Sequence, residues 1–185
     1  MNPKQMTYSS RLTQIFHLSF FKCLCFCFSF ATIHCAQALP TDKEQSIKIS
    51  SESAAIDSKL GVTTLSGSVK LIQGTLEIGA DKVTLRYDKN QKLESLVAEG
   101  SPARYQQQTA VDKPIIHAEA NSIIYVVSKD HLTLDKNAFV EQNGATTRGG
   151  KIEYNITSGT VNASGAGNES GRVEFVIPPQ TNKKE

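Results

Sequence analysis

Apolar and polar side chains alternate in short runs along most of this chain, and that alternation most constrains how it can fold. Leu132 and Leu134 flank Thr133, and the run from Lys82 to Tyr87 alternates in the same way, with Val83, Leu85 and Tyr87 as its apolar members. Because successive side chains of a β-strand point to opposite faces, each run has one apolar and one polar face. Gly, Asn, Asp and Ser separate the runs, and helical periodicity is hard to find. The pattern predicts an all-β protein.

The turn residues divide the chain into 16 candidate strands at even spacing, which is typical of a closed or rolled antiparallel sheet. These strands are 46–50, 54–57, 62–66, 68–73, 76–79, 81–87, 92–99, 103–107, 115–118, 121–127, 131–135, 138–142, 146–148, 151–155, 160–163 and 172–177. The small and polar residues of 164–170 predict a loop, and those of 179–185 predict a polar tail.

An internal repeat relates residues 49–87 to residues 116–154, with an offset of 67 positions. The two copies share a leucine, a valine and a glutamine in the same order: Leu65, Val69 and Gln73 in the first, Leu134, Val140 and Gln142 in the second. Such repeated units stack and bury a shared apolar face. The repeat therefore predicts one continuous interior.

The first 38 residues have the pattern of a secretory signal peptide. Lys4 and Arg11 precede an apolar run of about a dozen residues after Lys22, which is too short to span a bilayer as a helix. The run ends at Ala36-Gln-Ala38, a small-x-small cleavage pattern. We expect cleavage after Ala38, a domain over residues 39–178 and export; an uncleaved anchor is the alternative.

Cleavage would change the composition of the chain. All four cysteines, Cys23, Cys25, Cys27 and Cys35, would be removed, so the mature protein would contain no disulfide. Loss of three basic residues would leave 17 basic against 18 acidic ones, a net charge of −1. The basic pI belongs to the precursor, and no nucleic-acid partner is expected.

The sequence gives no pattern for catalysis, for a cofactor or for a metal. His117 and His131 stand alone, without a cysteine partner or a triad context, so no metal site is expected. The glycine-rich stretch 144–151 has Ile152 where a phosphate loop needs Ser or Thr. We expect a protein that is not an enzyme. On the residues alone, the apolar interior is either a plain core or a groove for acyl chains, and a plain core is favoured.

A series of short motifs resembles the lipopolysaccharide-transport protein A (LptA, or OstA-like) family over residues 39–178. The motifs are EQSIKI at 44–49, LSGSV at 65–69, QGTL at 73–76, ADKV at 80–83, GSPA at 100–103, HAEA at 117–120, GGKIEY at 149–154 and GRV at 171–173. The resemblance implies a slightly open, V-shaped antiparallel β-jelly roll of about 16 short strands. It also implies a periplasmic protein that binds lipopolysaccharide, shields the lipid A acyl chains and forms a bridge between the inner and outer membranes.

The resemblance and the strand alternation together give candidate residues. The groove interior is predicted to contain Ile47, Ile49, Leu65, Val69, Leu85, Tyr105, Ile123, Leu132, Leu134 and Phe139. The edge strands that join modules end to end are predicted around Ile47, Lys48 and Ile49 at one end and Val173, Phe175 and Ile177 at the other. The implied partners are an LptC-like inner-membrane protein, an LptD-like outer-membrane protein and further copies of the chain.

Three alternatives remain at the level of sequence. A tethered relative or a domain of an outer-membrane assembly protein would share the fold. A periplasmic polysaccharide-processing enzyme would need paired carboxylates and stacking aromatics, whereas aromatic residues make up only 7% of this chain and Trp is absent. A structural β-scaffold that binds no lipid would have the same apolar interior.

Overall fold

The computed structural model describes residues 42–110, 112–166 and 171–179. The predicted signal segment 1–38 and nearly all of the tail 179–185 lie outside the described residues. No helix within these ranges is long and apolar enough to cross a membrane. The strands are β1 (Lys48–Ser50), β2 (Ser53–Asp57), β3 (Val62–Gln73), β4 (Leu76–Tyr87), β5 (Leu93–Gln107), β6 (Ile116–Val126), β7 (His131–Gln142), β8 (Ala145–Asn155), β9 (Thr160–Ser164) and β10 (Glu174–Val176). Short 3-10 turns occupy Asp42–Glu44 and Val127–Lys129.

The described ranges thus contain ten strands rather than about 16, because six long strands each join two of the predicted runs. In β3 the ladder shifts register between Ser66 and Val69, and in β7 between Asp135 and Ala138. A bulge of this kind bends a strand and increases its twist without ending it. The turn residues that divide the sequence into short runs therefore mark bends within strands as well as strand ends.

The bulges align across the sheet along one line, and this fold line divides the sheet into two layers. The first layer consists of 48–50, 69–73, 76–79, 103–107, 116–119, 138–142, 145–149 and 174–176. The second layer consists of 53–57, 62–66, 82–87, 93–99, 122–126, 131–135, 151–155 and 160–164. The rings of Tyr105 and Tyr125, one from each layer, meet edge to face at 5.9 Å, so the layers pack face to face.

Small residues let the two layers approach each other at the fold line. Ala103 pairs with Ala120 and Ala138 pairs with Gly149, and all four are buried. Between the layers, one apolar cluster contains residues of both, including Ile78, Leu96 and Ile152. Burial of each such side chain contributes about 1.5–3 kcal/mol relative to exposure. The interior is therefore the main source of stability.

The outer faces of both layers are polar. Ion pairs join neighbouring strands there, such as Lys82 with Glu99 at 3.1 Å and Arg104 with Glu119 at 3.2 Å. These pairs are about half exposed, and such surface pairs contribute at most about 1 kcal/mol each. The predicted separation into an apolar and a polar face is confirmed.

The sheet does not close. At its N-terminal edge β1 and β2 both pair with β3, and at its C-terminal edge β9 and β10 both pair with β8. All strand pairs are antiparallel. The prediction of an all-β, antiparallel and slightly open fold is confirmed.

Candidate functional site

A row of inward-facing side chains crosses the first layer from one open edge to the other. Paired residues of an antiparallel ladder share a face, so the row follows from the register. It runs through Ile49, Leu71, Ile78, Tyr105, Ala118, Val140, Thr147 and Phe175. The members inside the sheet are buried, whereas Ile49 and Phe175 at the edges are 40% and 62% exposed.

The second layer has a matching row. It runs through Ile56, Thr63, Leu85, Leu96, Tyr125, Leu132, Tyr154 and Val161. Its N-terminal member, Ile56, is 73% exposed and borders a cavity of about 280 Å³ that Val62 and Tyr87 also line. Exposed apolar side chains thus continue the interior at the open N-terminal edge in both layers.

Most of the predicted groove residues face this interior. Leu65, Val69, Leu85, Tyr105, Ile123, Leu132 and Leu134 are all buried in the central cluster. Ile47 is half-buried against the same cluster, and Ile49 faces inward at the N-terminal edge. The structure therefore brings these residues together, but in a closed interior in which seven of the nine already pack against protein.

The prediction that Phe139 lines the interior is wrong. Phe139 pairs with Arg148 and Glu119, which belong to the polar outer face, and the Arg148 guanidinium lies 4.2 Å from the centre of its ring. The bulge after Asp135 contains two residues, so even-numbered positions of β7 face the interior both before and after it. Val140 therefore faces inward and Phe139 faces outward. A positively charged guanidinium over an aromatic face supplies the favourable contact that burial would otherwise provide.

The predicted edge strands lie at the two open edges. Lys48 pairs with Ile72 on the outer face, which leaves Ile49 on the inner one. At the other edge Phe175 pairs with Thr147, and Val173 and Ile177 share its parity just outside the ends of β10. Ile177 is exposed and Val173 is half-buried.

Sequence reasoning missed Ile56 and Leu60, two exposed apolar residues at the N-terminal edge. The repeat carries a signal that could have found the first of them. Ile56 lies 67 residues before Ile123, so the two occupy equivalent positions in the repeat. A residue of an edge strand that aligns with a buried residue in the other copy is expected to face inward and yet remain exposed, because no further strand covers it.

The side of the roll opposite the fold line, where the layers end in turns, forms a mouth with polar lips. The first-layer lip contains the glutamines that end three strands, Gln73, Gln107 and Gln142. The second-layer lip contains Tyr87, Tyr125 and Tyr154. At the C-terminal side the lips touch, because the Tyr154 hydroxyl donates to Oε1 of Gln142 at 3.3 Å.

Two tyrosine hydroxyls extend this polar border into the interior. Tyr105 donates to Oε1 of Gln107, and Tyr125 donates to Oδ1 of Asp130 at 3.1 Å. Burial raises the pKa of Tyr105 well above its ordinary value, and the negative charge of Asp130 adds to this. Burial and then Asp130 raise the pKa of Tyr125 in the same way. Both groups are neutral hydrogen-bonding groups, not bases.

Within the described ranges, no three His, Cys, Asp or Glu side chains come close enough to hold a metal ion. His117 lies exposed on the outer face, paired with Gln106 and Glu141. His131 begins β7 and pairs with Val126. The chemistry available at this site is apolar contact inside and hydrogen bonding at the mouth.

Residues 48–160 match the family model described as the LptA/(LptD N-terminal domain) LPS transport protein. Among curated proteins, the lipopolysaccharide export system protein LptH of Pseudomonas aeruginosa is 37% identical over 150 residues, which cover 78% of this chain and 86% of LptH. LptA of Escherichia coli K12 is 32% identical over 145 residues, or 78% of this chain and 77% of its own length.

The fold is similar to a solved structure as well. The crystal structure of LptH from Pseudomonas aeruginosa, described as the LptA-homologous periplasmic component of the conserved lipopolysaccharide transport device, superposes with a TM-score of 0.69 at 36% identity. The superposition covers 76% of this chain and all of that one. The expected jelly-roll architecture of that family is therefore confirmed.

Proposed function

The chain belongs to the family of LptA and LptD N-terminal-domain lipopolysaccharide transport proteins, and from this premise we propose that it binds lipopolysaccharide and carries it between the two membranes. One observation supports the proposal most strongly: inward-facing, mainly apolar rows run from one open edge of the sheet to the other, and the first-layer row stays exposed at both ends. Ile49, Ile56 and Phe175 continue the inward-facing rows instead of standing alone on the surface, and such placement is typical of a binding site.

The acyl chains of the lipid would lie between the layers, in contact with the predicted groove residues. Each CH₂ group removed from water contributes about 0.8 kcal/mol, so several acyl chains gain more from such a track than they could from a surface patch. The sugars, which are hydrated already, would leave through the mouth. Because the interior is filled in this structure, binding requires that the two layers move apart.

The open edges would join this module to its neighbours. Edge strands present unpaired backbone groups that pair readily with another strand. The N-terminal edge at β1 and the C-terminal edge at β10 are short, exposed and apolar on their inward face. An LptC-like protein at one edge, an LptD-like protein at the other and further copies between them would continue both inward rows.

The proposal includes export to the periplasm after removal of residues 1–38, and transport without any covalent change to the lipid. The curated relatives are export-system proteins, and the solved relative is a periplasmic component. A β-scaffold that binds no lipid is the alternative that an experiment must separate.

The test is lipopolysaccharide binding by the purified protein carrying Ile49→Gln or Lys48→Gln. The two positions are adjacent in β1, but Ile49 faces the interior and Lys48 the outer face. Glutamine at position 49 should weaken binding, because it places an amide in the path of the acyl chains. The Lys48 variant should bind as the unaltered protein does. Equal binding by all three would support the scaffold.

A further inference from the structure

A strap formed by Asp42–Gln45 crosses the mouth at its N-terminal side and ties the layers together. The Asp42 carboxylate accepts hydrogen bonds from the backbone N–H of Thr75 at 2.7 Å and from Nε2 of Gln107 at 2.8 Å, both in the first layer. The next residue, Lys43, forms an ion pair at 2.8 Å with Asp130, in the turn that follows β6. Two successive residues thus bind opposite lips.

The strap occupies the hydrogen-bonding groups of the first-layer lip. The Gln73 amide donates to the backbone carbonyl of Gln45 at 3.1 Å, and the Gln107 amide donates to Asp42. The site fits the strap closely, because a Cβ at Gly74 would lie 2.2 Å from Oδ1 of Asp42. Gly74 also has a φ of 61°, which favours glycine.

The head group of a bound glycolipid would need the same lip. With acyl chains between the layers, the phosphates and sugars must emerge through the mouth, beside Gln73 and Gln107. Neutral amides donate to and accept from hydroxyl and phosphate oxygens, so the same two glutamines can bind either the strap or the head group. We propose that the strap competes with the lipid head group for the first-layer lip. The strap must leave this lip before the lipid can bind. The inference rests on the proposed function.

The first test compares association rates of lipopolysaccharide for the full-length protein and its Asp42→Ala variant. Loss of the hydrogen bonds that Asp42 accepts at the lip weakens the strap, so association should become about tenfold faster. Lys43→Ala should act in the same direction and more weakly. Asp81→Ala, which removes an exposed carboxylate at the fold line, is the matched control and should leave the rate unchanged.

A second variant pair tests the lip itself. Gln107→Ala should weaken lipid binding at equilibrium, whereas Gln106→Ala, on the outer face of the same strand, should not. Hydrogen exchange at residues 42–46 should become faster when lipopolysaccharide binds, because the strap is displaced.

The outcomes separate this inference from the proposed function. Failure of the unaltered protein to bind lipopolysaccharide would contradict the proposed function. Normal binding by the unaltered protein, with unchanged association in Asp42→Ala and unchanged or slower exchange of the strap, would overturn the inference alone.

Discussion

The two copies of the repeat place equivalent residues in different environments. At the sequence offset of 67 residues, Ile49 and Ile56 of the first copy align with Ile116 and Ile123 of the second. The first pair is 40% and 73% exposed, and the second pair is fully buried. The second copy has neighbouring strands on both sides, whereas the first copy begins at the open edge. The same inward-facing residue is therefore a core residue in one place and an entry point in the other.

The copies also close the mouth differently. In the second copy Tyr154 binds Gln142 directly across the lips. In the first copy the equivalent glutamine, Gln73, binds the strap at Gln45 instead. The second copy is thus closed by its own side chains, while the first is closed by the separate segment Asp42–Gln45.

The largest difference is expected when the equivalent isoleucines are shortened. Ile123→Ala should lower the free energy of unfolding by about 2–5 kcal/mol, because it leaves a cavity in a closed interior. Ile56→Ala should lower it by less than about 0.5 kcal/mol, because that side chain is mostly in water. Urea unfolding monitored by circular dichroism measures both. Similar losses in the two variants would contradict the comparison.

High pH should destabilise the closed interior. The pKa of Tyr125 is raised in the folded state, so above pH 10 the unfolded chain releases a proton that the folded chain keeps. Stability is then fully present below pH 10 and falls above it, by about 1.4 kcal/mol per pH unit for each such tyrosine. Tyr125→Phe should reduce the slope of unfolding free energy against pH between 10 and 11. An unchanged slope would contradict the burial of that hydroxyl.

A smaller effect is expected from the direct contact between the lips. Tyr154→Phe removes the hydroxyl that binds Gln142 and should cost about 0.5–1.5 kcal/mol of unfolding free energy. Tyr87→Phe, at the tyrosine that aligns with Tyr154 at the 67-residue sequence offset, should cost less, because Gln73 in that copy already donates to the strap. Denaturant titration measures the unfolding free energy of both variants. A larger loss for Tyr87→Phe would contradict the view that the lips are joined directly only in the second copy.

The smallest effect on stability is expected at the C-terminal edge. Phe175→Ala should change the unfolding free energy by less than about 0.5 kcal/mol, because the ring is largely exposed. It should nevertheless weaken end-to-end association, which sedimentation velocity over a range of concentrations detects. Thr160→Ala, at an exposed position of edge strand β9, is the control. Association that persists unchanged in Phe175→Ala would argue against this edge as a joint.

Alternation was sufficient to predict the interior residues within strands. Leu65, Leu85 and Leu134 face inward as the period of two requires. Phe139 was misplaced because its apolar character outweighed its parity, and only the structure shows Arg148 covering the ring.

Other features depend on contacts between distant segments. The joining of short runs into bent strands depends on how a bulge is paired with the neighbouring strand, which local sequence does not specify. The strap depends on contacts across 28 to 87 positions, such as Gln45 with Gln73 and Lys43 with Asp130. No local pattern identifies such contacts.

The most direct test of the account is photo-crosslinking in living cells from an unnatural residue at Ile49 or Ile56, with Lys48 as the outward-facing control. The account predicts lipopolysaccharide adducts at both isoleucine positions and none at position 48. Absence of adducts at both isoleucines, or equal adducts at all three positions, would contradict a lipid path that enters the interior at the open edge.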